Sequence, residues 1–179
     1  MLRLTALVFF LSFTQPSAPV VAQDPRLAAR LDSVTRIQVE AVLRKAHDDG
    51  LPIEPLVQKA LEGSSKGAHG SRIVAAVESM VGDLRRARQS IGRGATPDEL
   101  VAGSAALRAG ATPEMVGEIR RTETDGGIAV PLAVFADLVA SGMTVQAAWR
   151  SVAELAEQGG RDEEFLDLRE RLRSSRESP

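Results

Sequence analysis

Glycines recur every 16 residues in the second half of this chain. The recurrent positions are Gly94, Gly110, Gly126 and Gly142, and Gly159 comes one residue late. Glycine ends many helices because it readily adopts the left-handed backbone conformation found there. With loops of about two to five residues, the spacing leaves room for helices of about 11 to 13 residues. Helices this short and this closely joined turn back on one another, so the repeat predicts stacked antiparallel hairpins.

Helix-starting residues follow these glycines. A threonine stands two residues after three of them: Thr96, Thr112 and Thr144. A threonine side chain caps a helix N-terminus well, and Pro97 and Pro113 then occupy first helical positions, where proline is favoured. The first threonine also has Glu99 three residues on, which completes a capping box. The unit after Gly126 lacks the threonine, but Pro131 still restarts a helix.

Each unit carries one apolar stripe at helical spacing, as amphipathic helices do. In the last unit the stripe consists of Val145, Ala148, Trp149, Val152 and Leu155. We read Trp149 first as a core residue and second as an interface anchor. The pattern predicts an all-α fold, with antiparallel helical hairpins stacked as a small solenoid-like bundle.

Three further helices are predicted before the repeats. The first spans Asp24 to Ala46, and its apolar face comprises Leu27, Leu31, Val34, Ile37 and Ala41. A short second helix follows Pro52, and a long third helix runs from Ser71 to about Ile91. Between them, residues 63–70 contain three glycines and two serines, a composition typical of a loop.

Residues 1–22 have the plan of a secretory signal peptide: a basic start, an uncharged stretch over residues 4–13, and small residues before a cut. Val20 and Ala22 favour cleavage after Ala22, with Ala18 as the alternative. The apolar stretch is shorter than the ~20 residues that span a bilayer. We therefore expect an exported protein, periplasmic or secreted, without a transmembrane segment after cleavage.

The mature chain, residues 23–179, is expected to be one domain. Its parts are the N-terminal helices at 23–93, the repeated hairpins at 94–160, a capping helix at 161–173 and a disordered tail at 174–179.

Composition excludes several kinds of chemistry. The chain has no cysteine, 3% aromatic residues and a net charge of −2 from charges of both signs. A thiol nucleophile or thiolate metal site is therefore impossible, and nucleic-acid binding is disfavoured. His47 and His69 are the only histidines, and no spacing of ligands around them indicates a metal site. We predict no cofactor and no catalytic residue.

One candidate ligand site is the Gly- and Ser-rich loop, with Ser64, Ser65, Lys66 and His69. Its glycines would expose backbone donors, Lys66 would add positive charge, and His69 could carry a proton. A flexible connection between two helices is the structural alternative, because the phosphate-binding order of glycine and lysine is missing.

The other candidate is a group of basic residues near the end of the long helix: Arg85, Arg86, Arg88 and Arg93. They could contact an acidic partner. Cations also suit the negative end of a helix dipole, which explains them without a partner.

The segment Gly50-Leu51-Pro52-Ile53-Glu54-Pro55-Leu56, followed by Lys59, Glu62-Gly63 and Lys66-Gly67, resembles a pattern in uncharacterised exported bacterial helical proteins. That resemblance implies export and a helical fold but no activity. Two glycine-spaced units together make 32 residues, similar in length to a tetratricopeptide repeat. The large aromatics of that family are missing, because Phe135 and Trp149 are the only aromatic residues from Gly94 to Gly160.

Stacked helical hairpins leave one extended face for a partner. We therefore expect a non-catalytic protein-binding or scaffolding module that contacts an unknown envelope protein. The alternative is a small-ligand-binding protein or an enzyme that uses the 63–71 loop. The alanine-rich helices allow close packing within one chain or between two, so oligomerisation stays open.

Overall fold

The computed structural model describes residues 24–122 and 127–177, and every regular element in them is a helix. The helices are α1 (Pro25–Arg30), α2 (Ser33–Asp48), α3 (Glu54–Ser65), α4 (Gly70–Ile91), α5 (Pro97–Arg108), α6 (Pro113–Arg121), α7 (Ala129–Ala140), α8 (Val145–Glu157) and α9 (Asp162–Glu177). The predicted all-α class is confirmed. The predicted signal peptide, residues 1–22, lies outside the described residues.

The single helix predicted from Asp24 to Ala46 is wrong, because the chain forms two helices there. α1 ends at Arg30, and the carboxylate of Asp32 accepts the backbone N–H groups of Val34 and Thr35, each at 3.0 Å. An aspartate in this position starts a new helix by satisfying donors that have no partner in the first turn.

The restart at Asp32 also changes which face of α2 is buried. The buried apolar residues of α2 are Val39, Leu43 and Ala46, whereas Val34 and Ile37 of the predicted face are exposed. The predicted face requires one continuous helix from Leu27 to Ala41, with its apolar residues in a single stripe. The break removes that continuity, so α2 packs through a different face.

α4 is the central helix of the N-terminal half, and it packs against α2, α3, α5 and α6. Its observed range matches the predicted 71–91 closely. Two close approaches are possible because glycine has no side chain: Gly70 faces Thr35 of α2, and Gly63 of α3 faces Ile73.

The glycine repeat is largely confirmed. At Gly110 the backbone φ is 106°, the N–H of Ala111 donates to the carbonyl of Ala106 at 2.9 Å, and the N–H of Gly110 donates to Leu107. These two hydrogen bonds form the Schellman ending of a helix. The same pair of bonds recurs around Gly142 and Gly159.

Two details of the repeat differ from the prediction. The glycine with positive φ at the C-cap of α4 is Gly92, at 108°, and not Gly94. Gly126 lies outside the described residues, and Gly127 carries the positive φ in that connection. The predicted threonine caps are present at Thr96, Thr112 and Thr144, each accepting a backbone N–H three residues on.

The first hairpin is held by a buried carboxylate. Glu99, in the first turn of α5, accepts the N–H of Thr96 at 2.8 Å and a guanidinium N–H of Arg120 at 2.6 Å. Because Arg120 lies in the last turn of α6, this contact makes α5 and α6 antiparallel. The predicted capping box therefore also fixes the hairpin.

The hairpins stack through alternate helices. α7 packs against α5, α8 and α9, while α6 packs against α4. The largest fully buried side chains include Leu132, Phe135 and Leu138 of α7 and Phe165 of α9. α7 is therefore the centre of the repeated half.

α9 continues to Glu177, beyond the predicted end at Arg173, so the expected disorder at 174–177 is wrong. The hydroxyl of Ser174 donates to the carbonyl of Glu170, and that of Ser175 donates to Leu172. Both serines thus bond within the helix.

Along residues 24–122 and 127–177, no helix combines the length and apolar character needed to cross a bilayer.

Candidate functional site

Half of the predicted loop at residues 63–70 is helical. α3 continues to Ser65 and α4 begins at Gly70, so the connection is limited to residues 66–69. The hydroxyl of Ser64 donates to the carbonyl of Arg30 at 2.6 Å, and that of Ser65 donates to the carbonyl of Leu61 at 2.8 Å. Both hydroxyls are therefore engaged by the backbone, which explains how serine is accommodated at the end of α3.

Lys66 and His69 have separate surroundings. Lys66 forms an ion pair with Glu62, which also pairs with Lys59 at 2.9 Å. The hydrogen bonds from Lys66 and Lys59 lower the pKa of Glu62 to about 2. His69 precedes α4, and its carbonyl accepts the N–H groups of Arg72 and Ile73 while its side chain makes no capping hydrogen bond.

A nucleophile needs a base within hydrogen-bond reach. Each of these two serine hydroxyls donates to a backbone carbonyl, and Lys66 is paired with the carboxylate of Glu62. Within the described ranges no group of histidine and carboxylate side chains has the arrangement of a metal site. Ser64, Ser65, Lys66 and His69 are therefore neighbours in sequence, but their side chains do not converge on a shared site.

The four arginines divide into two groups. Arg85 pairs with Asp49, Arg86 pairs with Asp83, and Arg88 donates to the backbone carbonyls of Asp49 and Gly50. The contacts of Arg85 and Arg88 join the end of α2 to α4, whereas the Arg86–Asp83 pair lies within α4. Arg93 is exposed and has no ion pair within residues 24–122 and 127–177.

Arg85, Arg88 and Arg93 line a shallow, open depression of about 530 Å³ together with Asp49 and Gln89. Two of its three guanidinium groups are already bonded to this chain. The depression therefore offers one unengaged cation, at the C-terminal end of a helix, where the dipole disfavours an anion.

A groove between α6 and α8 is the site that sequence reasoning missed. It encloses about 520 Å³ and is open along its length. Half-buried apolar side chains line its floor: Met115 of α6, and Val145, Trp149 and Ala153 of α8. The two helices begin at the same end of the groove, because Gly110 before α6 lies beside Val145 at the start of α8.

The rim of the groove is acidic. Glu118 of α6 and Glu154 and Glu157 of α8 are exposed, and Arg150 is the one cation among the lining residues. None of the three glutamates forms an ion pair with another residue in the described part of the chain. The groove thus combines an apolar floor with unneutralised negative charge.

Trp149 joins the groove to the core. Its ring meets that of Phe135 edge to face, with ring centroids 6.1 Å apart and planes at 79°. Such a contact fixes the orientation of the indole while its other side stays in the groove. Trp149 thus packs partly against the core, in line with the first sequence interpretation, and its role as an interface anchor stays a prediction.

The sequence signal for this groove is the combination of one tryptophan with glutamates at helical spacing on α8. This combination does not identify the groove from sequence, because only the stacking of the hairpins makes α6 and α8 neighbours.

Comparison of the chain with protein-family models, curated proteins and solved structures gave no match.

Proposed function

We propose that this protein is a non-catalytic helical-repeat module that binds a segment of a partner protein in the α6–α8 groove. The observation that carries the proposal is the half-buried Trp149 in an open groove with an acidic rim. Tryptophan and methionine are favoured at binding surfaces, since one supplies large rigid contact area and the other adapts its shape.

The groove favours one kind of partner segment. Apolar side chains at helical spacing fit the floor formed by Met115, Trp149 and Ala153. Lysine or arginine on the flanks of the same segment meets Glu118, Glu154 and Glu157. Opposite charges along the rim select partners and speed association more than they add affinity.

Binding can be followed directly, because Trp149 is the only tryptophan of the chain. We expect a synthetic helical peptide of leucine and lysine, with leucines on one face, to shift the Trp149 emission to shorter wavelength. A peptide with glutamate at the lysine positions should give no shift. Glu154→Lys should weaken binding of the lysine peptide about tenfold at low salt, an effect that salt reduces.

Glu78→Lys is the matched control. Glu78 is an exposed glutamate on α4, outside the groove, so this variant has the same net charge as Glu154→Lys. Its affinity for the lysine peptide should equal that of the unmodified protein. Equal binding of the two peptides, or equal loss in the two variants, would contradict the proposed site.

We also propose export, with removal of residues 1–22. It is supported by the position of the first helix, whose N-cap is Asp24, with its carboxylate accepting the N–H of Arg26 at 2.9 Å. Cleavage after Ala22 leaves this cap intact. Expression of the full chain in a bacterium should yield periplasmic protein that begins at Gln23 by mass spectrometry. Cytoplasmic protein that retains residues 1–22 would contradict export.

A further inference from the structure

The outward face of α2 carries the two most exposed large apolar side chains in the described part of the chain. Val34 is 66% exposed and Ile37 is 59% exposed. Ala41, one helical turn further on, is exposed as well. Because these positions are spaced by three and four residues, they form one stripe along the helix. Apolar stripes of this kind are characteristic of helices that dock against another surface.

Basic residues continue this stripe toward the end of α2. Arg44 and Lys45 are exposed and lie on the same side of the helix as Ala41. Neither has an ion-pair partner among residues 24–122 and 127–177. The outward face of α2 is therefore apolar in its first half and positively charged in its second half, with Asp48 as the acid at its end.

This face has the chemistry that the α6–α8 groove requires. We infer that the outward face of α2 from one copy of the chain occupies the α6–α8 groove of a second copy. The inference rests on the proposed function and names the partner. α2 does not fill the groove of its own chain, since Val34 and Ile37 remain exposed there.

The dimensions and the register of the two surfaces agree. α2 has 16 residues and α8 has 13, which correspond to about 24 Å and about 20 Å of helix. When α2 lies parallel to α8 with Ile37 beside Trp149, Lys45 lies beside Glu157, because both pairs are eight residues apart. The same placement brings Ala41 to the level of Ala153.

The contact joins two different surfaces, so each copy offers one α2 face and one groove. A contact of this type continues from copy to copy and forms either a closed ring or an open chain. A contact between two identical α2 faces would instead stop at a symmetric dimer. The two arrangements respond differently to variants in the groove.

The test is sedimentation velocity of the full chain over a wide range of concentration. Unmodified protein should associate beyond a dimer as concentration rises. Ile37→Asp places a charge in the α2 stripe, and Glu157→Lys places a cation opposite Lys45. Each variant alone should associate at least about tenfold more weakly. Both positions are exposed in the single copy, so neither substitution disturbs the core. Glu170→Lys is the control here, because Glu170 is exposed on α9 and lies outside both surfaces; this variant should associate as the unmodified protein does.

An equimolar mixture of Ile37→Asp and Glu157→Lys gives the sharpest result. The intact groove of the first variant accepts the intact α2 of the second, and every other contact carries at least one substitution, so the mixture should form a 1:1 dimer as its main product. Association that Ile37→Asp abolishes and Glu157→Lys leaves unchanged would overturn the inference in favour of an α2–α2 pair.

Failure of the inference and failure of the proposed function are distinguishable. If the unmodified chain stays monomeric while the leucine–lysine peptide still shifts the Trp149 emission, the inference is wrong and the proposed function stands. If neither the peptide nor a second copy binds, both are wrong.

Discussion

Phe135→Ala should lower the free energy of unfolding by about 4 kcal/mol, the typical cost of emptying a fully buried aromatic position. Phe135 is 0% exposed, and its helix, α7, packs against α5, α8 and α9. Because small domains are stable by only about 5–15 kcal/mol, this single change removes a large part of the total. Urea denaturation followed by circular dichroism measures the loss.

Two variants test whether burial causes the loss. Phe135→Leu keeps most of the apolar volume and should cost less than about 1.5 kcal/mol. Leu166→Ala removes an apolar side chain that is 42% exposed, so it should cost less than about 1 kcal/mol. If Phe135→Ala were no more harmful than Leu166→Ala, α7 would not be the centre of the repeated half.

Phe135→Ala also changes the groove, since the ring of Phe135 packs against that of Trp149. In folded Phe135→Ala protein, the Trp149 emission should resemble that of a more mobile, wetter indole. Phe135→Ala therefore affects stability and the groove together. Charge variants on the rim, such as Glu154→Lys, alter binding without emptying the core. Stability and binding can therefore be tested separately.

The repeated half of the fold could be predicted from sequence because its signals are local. A threonine cap, a helical stripe and a terminal glycine each act within a few residues, and Thr96, Thr112 and Gly110 have the predicted roles. The sequence predicts the N-terminal half less well, because there an apolar stripe runs across the boundary between two helices. The stripe from Leu27 to Ala41 looks continuous, and only the capping bonds of Asp32 divide it.

The candidate site depends on contacts between residues far apart in sequence, which is why sequence reasoning missed it. Met115 and Trp149 line one groove because their hairpins stack, and nothing in either helix states which helix will be its neighbour. Conversely, Ser64 and Lys66 attracted attention by composition, yet both have partners in their own chain.

Gly70→Ala should lower the free energy of unfolding by about 2 kcal/mol, within the range for overpacking a tight contact. A Cβ atom at Gly70 would lie 2.0 Å from the hydroxyl oxygen of Thr35 and 3.2 Å from its Cβ. Thr35 cannot easily move, since its hydroxyl donates to Asp32 at 2.6 Å and its side chain is buried against α4. α4 must therefore shift away from α2.

Gly82→Ala is the matched control on the same helix. Its new Cβ would meet nothing within 4 Å, so it should stabilise the protein by up to about 1 kcal/mol through helix propensity alone. Opposite signs at Gly70 and Gly82 would separate steric overlap from propensity.

Thr35→Ala supplies the decisive comparison for Gly70. Alone it should destabilise, because Asp32 loses the hydroxyl donor. Combined with Gly70→Ala it also removes Oγ1, the atom that would lie 2.0 Å from the new methyl group. The double variant should therefore be more stable than the sum of the single effects by about 1–2 kcal/mol, a coupling typical of residues in contact. Strict additivity would mean that α2 and α4 do not meet at Thr35 and Gly70.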